Sequence, residues 1–245
     1  LILKGHFIFT SPKLKRAKQI LFMETPSEVV IKHEKLISLI WGIVVGLVLI
    51  HIALQACHYY FQELPWLLRE IFDVDEEESF STWFSAVLLL TCSTLLFLIA
   101  LSKNKETYIL HWYGLALGFC ILSMDEVVGI HETFNTITEV AWTVPATWLI
   151  FLLLLVYWKF LIELPQPAKK QFLIAGAVYL SGGLLVEHLA DYYVEVFEMD
   201  NFGYNLMTAF EESLEMAGVV LFIDSLLKYL ATGNSETVTI NIKLK

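Results

Sequence analysis

"AFEESLEMAG", residues 209 to 218, runs without a break into "VVLFIDSLLKYL", residues 219 to 230. The first half reads as an amphipathic surface helix and the second as a membrane span. Taken together they form one apolar stretch, 204 to 230, with Glu211, Glu212 and Glu215 inside it. Carboxylates at membrane depth are costly, so they mark a site unless something compensates them.

The rest of the chain supports the membrane reading. Of 245 residues, 57% are hydrophobic and only 17% charged, with a mean hydropathy of +0.63. That is more apolar than a soluble domain of this size requires. Apolar stretches long enough to cross roughly 30 Å of hydrocarbon fall at about 36 to 58, 80 to 102, 107 to 131, 146 to 163, 171 to 193 and 204 to 230. The expected fold is therefore an all-α membrane bundle of about six transmembrane helices. It divides into an N-terminal segment, 1–35, a transmembrane domain, 36–231, and a C-terminal tail, 232–245. "FQELPWLLREIF", 61 to 72, is too short and charged to span and is expected at the interface, with Trp66, Leu67 and Phe72 towards lipid.

Charge sets the expected orientation. With six spans, Lys13, Lys15, Arg16, Lys18, Lys32, Lys35, Lys103, Lys105, Lys169, Lys170, Lys228, Lys243 and Lys245 all fall on one side, and Arg69 on the other. The positive-inside rule then puts both termini in the cytoplasm of a plasma-membrane protein. Glu63, Glu70, Asp73, Asp75, Glu76, Glu77, Glu78, Glu139, Glu195, Glu198 and Asp200 gather on the outer face. A net charge of -10 carried there argues against nucleic acid and leaves membrane lipid as the expected partner. Glu76 to Glu78, ahead of the second span, are expected to cap its N-terminus in solvent.

The buried acids converge at one depth. The third span ends "SMDEVVGIHE", the fifth "LLVEHLADYY", and the sixth begins "YNLMTAFEESLEMAG". At about 100° per residue, Thr208, Glu211, Glu212 and Glu215 share one face. Glu187, His188 and Asp191 share another with Gly183, and Asp125 lies on a stripe with Gly114 and Gly118. Glycine stripes allow close helix approach, so these acids are expected to point into the bundle. Asp125, Glu126, His131, Glu187, His188, Asp191, Glu211, Glu212 and Glu215 form the candidate site. Crowded carboxylates in low dielectric either share protons or bind a cation. With His131 and His188 present, a divalent metal of the Zn, Mn or Fe type is the expected cofactor. His51 is expected to be hydrogen-bonded packing, Asp224 and Lys228 an i,i+4 pair, and Cys57, Cys92 and Cys120 packing residues without metal-ligand spacing.

The DE-x-x-x-IHE element at 125–132 and the EE-x-LEM element at 211–216, with "STWFSAVLLL", resemble an uncharacterised family of bacterial multi-span membrane proteins. That resemblance covers the second to sixth spans and implies no activity. The Ser, Asp and His combination also resembles the zinc site of alkaline ceramidase and progestin-receptor-like membrane hydrolases, but the last span lacks their His-x-x-x-His pair. Three function classes follow: a metal- or cation-binding transporter or sensor; a metal-dependent lipid hydrolase with Glu126 or Glu212 as general base; and a non-catalytic subunit of a larger membrane complex or homo-oligomer. At the termini, Met23 is expected as the native start, with residues 1–22 an upstream extension. "ETVTINIKLK", 236 to 245, alternates as a strand does and is expected to pair with residues 2 to 9, or with another subunit, in a small cytoplasmic β-ribbon.

Overall fold

The computed structural model describes residues 28–103, 107–138, 140–197, 199–231 and 237–241. The helices are α1 (His33–Tyr60), α2 (Trp66–Ile71), α3 (Phe80–Ser102), α4 (Ile109–Val128), α5 (Ile130–Thr138), α6 (Thr143–Glu163), α7 (Gln166–Leu180), α8 (Glu187–Val196) and α9 (Phe202–Leu230). A π-helical turn, Ser181–Val186, joins α7 to α8. His33–Tyr60, Phe80–Ser102, Thr143–Glu163 and Gln166–Val194 are long and apolar enough to cross a membrane. α4 and α5, bent by 69° at their junction, make a fifth span if counted together. The sixth expected span, α9, has the length at 29 residues but carries Glu211, Glu212, Glu215, Asp224 and Lys228.

That charged helix is nevertheless the centre of the bundle, packed against α1, α3, α7 and the π turn. Met216, Val219, Val220, Ile223 and Leu226 on its second half are fully buried. α7 comes so close that a Cβ on Gly218 would meet the Tyr179 backbone nitrogen at 2.6 Å. Gly176 and Gly118, by contrast, have nothing within 4 Å, while Gly114 lies under the Tyr157 hydroxyl, so the expected glycine stripes are only partly the packed ones. α6 sits at the periphery with 6% of its span buried.

Local chemistry fixes the ends of these helices. Ser79 caps α3 by accepting from the backbone of Ser81 and Thr82 at 3.1 Å, so a hydroxyl, rather than the expected acids Glu76 to Glu78, performs that task. α4 stops at Gly129, whose φ of 60° is the left-handed conformation that releases the chain into α5.

α1 and α9 run antiparallel, since His33 lies beside Asp224 at one end and His51 beside Asn205 further along. The start of α1 and the end of α9 are thus brought together. Strand β1 (Glu28–Lys32) pairs there, antiparallel, with β2 (Thr237–Asn241), Glu28 opposite Asn241 and Lys32 opposite Thr237. The tail strand's partner is therefore the segment leading into α1; residues 2 to 9, its expected partner, lie outside the described residues. At the same end Asp224 pairs with Lys228, as its spacing requires.

Candidate functional site

The acids meet at the opposite end of the bundle, called the acidic end below. α9 presents Glu211, 5% exposed, with Glu212 and Glu215 half-buried beside it. Facing them is the π turn, where Gly182 and Gly183 bring two helices together without side chains between them. A Cβ at Gly182 would lie 2.7 Å from the Glu211 carbonyl oxygen, and one at Gly183 would run into the Glu215 Oε1. Immediately after the turn comes Glu187, which faces Glu211. Its Oε1 also accepts from the Trp142 indole nitrogen at 3.2 Å.

Two further helices close the site. Glu126 of α4 faces Ser85 of α3, and Glu215 faces Tyr179 of α7. Glu126 also faces both Glu212 and Glu215. Ser81 Oγ, one turn from Ser85, and Thr143 Oγ1, next to Trp142, are buried without a protein hydrogen-bond partner. The neighbours of the five carboxyls are thus hydroxyls, an indole and one another.

Above the cluster lies the loop between α2 and α3. Gln55 donates to Asp73 Oδ2 at 2.8 Å, and the Val74 backbone nitrogen donates to His51 Nδ1 at 3.3 Å. His51, 1% exposed, is hydrogen-bonded as expected, its Nε2 facing the Asn205 carbonyl oxygen at 3.2 Å. Asp75 sits at the surface and accepts from the Tyr204 hydroxyl at 3.4 Å. Crowding by protein on its inner side, then the carboxylates of Asp73, Glu187 and Glu132, push Asp75 up to about 7. Glu77 lies directly over Gly129, and burial together with Glu132 raises it as well.

Of the nine expected site residues, Glu126, Glu187, Glu211, Glu212 and Glu215 come together. Asp125 and His131 form a pair of their own beside them: Asp125 Oδ2 lies 3.1 Å from His131 Nδ1, and Asp125 Oδ1 accepts from the His131 backbone. Asp191 is half-buried further along α8. His188 is turned away and exposed, on a stripe with Leu185, Leu189 and Tyr192. His188 follows Glu187 on the same helix, about 100° round its axis, so with Glu187 turned to the cluster the imidazole points away. Of the two imidazoles expected to support a Zn, Mn or Fe site, His188 does not join the five carboxyls, and His131, paired with Asp125, stands at their edge near Glu126, Glu187 and Glu215. Among the described residues, no group of three or more His, Cys, Asp and Glu is arranged to hold a metal ion. Sequence reasoning did not assign Asp75, Tyr204, Tyr179, Trp142 and Ser85 to this region, because tyrosine, tryptophan and serine carry no charge signal and Asp75 reads as one acid among many.

A family model described as a domain of unknown function, DUF8692, matches residues 40–229. The chain belongs to that family. The matched region runs from α1 to the end of α9, so the DUF8692 domain contains every carboxyl of the cluster and the loop above it. No curated protein and no solved structure matches the chain.

Proposed function

We propose that this DUF8692 protein spans the plasma membrane six times, with both termini cytoplasmic, and that its carboxyl cluster binds protons from the outer side in the service of transport or sensing. The cation of the site is the proton itself. The observation that carries this reading is the close approach of Glu187 and Glu211, two carboxyls on different helices that the glycines of the π turn let crowd together. Two carboxyl groups can hydrogen-bond only with a proton between them.

The surroundings support it. Hydroxyls and an indole can solvate a neutral or shared-proton carboxyl pair at membrane depth, where a lone ionised carboxylate is expensive. The site also lies between two helix irregularities, the 69° bend at Gly129 and the π turn at Ser181–Val186. Interrupted helices at membrane depth are a recurring feature of ion-binding membrane proteins, and π turns concentrate at functional sites. α9 counts as the sixth span because its three glutamates face protein in the centre of the bundle, and the lysine asymmetry gives the orientation.

Metal analysis separates this reading from a divalent-metal site. Full-length protein purified in detergent is expected to hold well under one metal per chain, and added Zn or Mn is expected to leave its melting temperature unchanged. Near-stoichiometric metal that is lost in Glu211→Gln would replace the proton with a metal ion.

A further inference from the structure

We propose that Asp75 is the residue through which protons pass between outer water and the buried carboxyl cluster, with the Tyr204 hydroxyl as the bridge. This rests on the proton-site reading above and adds a route to it. The contact that defines the route is the Tyr204 hydroxyl donating to Asp75 Oδ2 at 3.4 Å, a span that one water can also share. On its inner side Tyr204 lies on the same face of α9 as Glu211, two turns before it, and towards Glu187. Asp75 itself is open to the surface.

An ordinary loop acid would not be held as this one is. Gln55 of α1 donates to Asp73, Asp73 Oδ1 accepts from the Asp75 backbone nitrogen at 3.2 Å, and Val74, 2% exposed, is tucked beneath. His51 of α1 contacts both ends of the route. Its Nδ1 accepts from the Val74 backbone, so in the neutral ring Nε2 carries the hydrogen and donates to the carbonyl of Asn205, the residue after Tyr204. The same Nδ1 lies 3.3 Å from Asp73 Oδ1. Loop, α1 and α9 are therefore tied at one point, and the distance from Asp75 to Tyr204 is set by packing rather than left to a mobile turn.

Among the described residues, the charged groups that face Asp75 are acids: Asp73 on its own loop, Glu132 of α5, Glu187 of α8 and Glu212 of α9. His131, paired with Asp125, stands behind Glu132 and Glu187, so from Asp75 the proton passes outward to water or inward through the phenol. In the outward direction Asp75 takes the phenolic proton while the Glu187–Glu211 pair replaces it on the Tyr204 oxygen. The inward direction reverses both transfers, and no other reactant is needed.

The test uses the full chain in lipid nanodiscs, with a pH jump as the probe and the infrared band of protonated carboxyls as the readout. Asp75→Asn and Tyr204→Phe are each expected to slow re-equilibration of the band by about tenfold or more, Tyr204→Phe leaving its final amplitude unchanged and Asp75→Asn removing only the share that Asp75 itself contributes. Asp75→Glu should restore the rate, and a small weak acid added as a proton carrier should rescue Asp75→Asn. A wild-type rate in Asp75→Asn overturns the proposal; should that variant fail to fold, a wild-type rate in Tyr204→Phe does the same. A wild-type protein with no band at all overturns the proton-site reading itself, which distinguishes the two failures.

Discussion

The two halves of α9 are one continuous helix with opposite tasks. From Met216 to Leu227 it is a packing element, with Val220 and Leu226 wholly inaccessible and Gly218 pressed against the Tyr179 backbone. From Thr208 to Glu215 it carries three carboxyls, and the residues around them are arranged for hydrogen bonding rather than for tight apolar fit. The lesson is that the second half holds the first in place. The bundle concentrates its stability on one half of the helix so that the other can keep groups a membrane would otherwise reject.

The largest effect that would sharpen this contrast is expected at Gly218. A valine there must displace backbone 2.6 Å away, not the end of a flexible side chain. Gly218→Val is expected to cost about 3 kcal/mol or more and to leave little folded protein by size-exclusion chromatography in detergent. A variant that purifies and melts like wild type would break the division between the halves.

A smaller effect is expected at the acidic end, in the pH dependence of stability. Asp75 is held up to about 7 in the folded protein, whereas in the unfolded chain it ionises in the usual range near 4. The folded state therefore binds the extra proton, so the contribution of Asp75 to stability is fully present below the unfolded value and is lost as pH rises through 7. Between pH 4 and 7 the melting temperature of wild type should fall relative to that of Asp75→Asn. Because Asp75 is exposed, the change is on the order of a degree or two. An equal dependence on pH in both proteins would remove the carboxylate crowding assigned to this loop.

Much of this architecture was legible in the sequence, and the parts that were not have identifiable causes. Apolar length alone locates the helices within a few residues, since a span needs about twenty. The cluster of Glu126, Glu187, Glu211, Glu212 and Glu215 follows from counting depth along helices. Phase fails wherever a helix is interrupted. Asp125 and His131 are six residues apart, about 9 Å along a continuous helix. They touch only because Gly129 breaks α4 and lets the imidazole fold back. His188 shared an arc of about 100° with Glu187, too wide an arc for both to face the cluster. The strapped loop at Asp73 to Asp75 is a tertiary contact between residues 18 and more positions apart, with no local signal.

The central claim is that a proton sits between Glu187 and Glu211. Infrared spectroscopy of the purified protein at neutral pH tests it most directly, because a protonated carboxyl absorbs apart from a carboxylate. On an Asp75→Asn background, which removes the loop acid's own signal, the account predicts a protonated-carboxyl band that is diminished in Glu211→Gln, with the variant still folded because glutamine keeps the shape of the side chain. On that background a spectrum with only ionised carboxylates, or a band undiminished by both Glu211→Gln and Glu187→Gln, would contradict it.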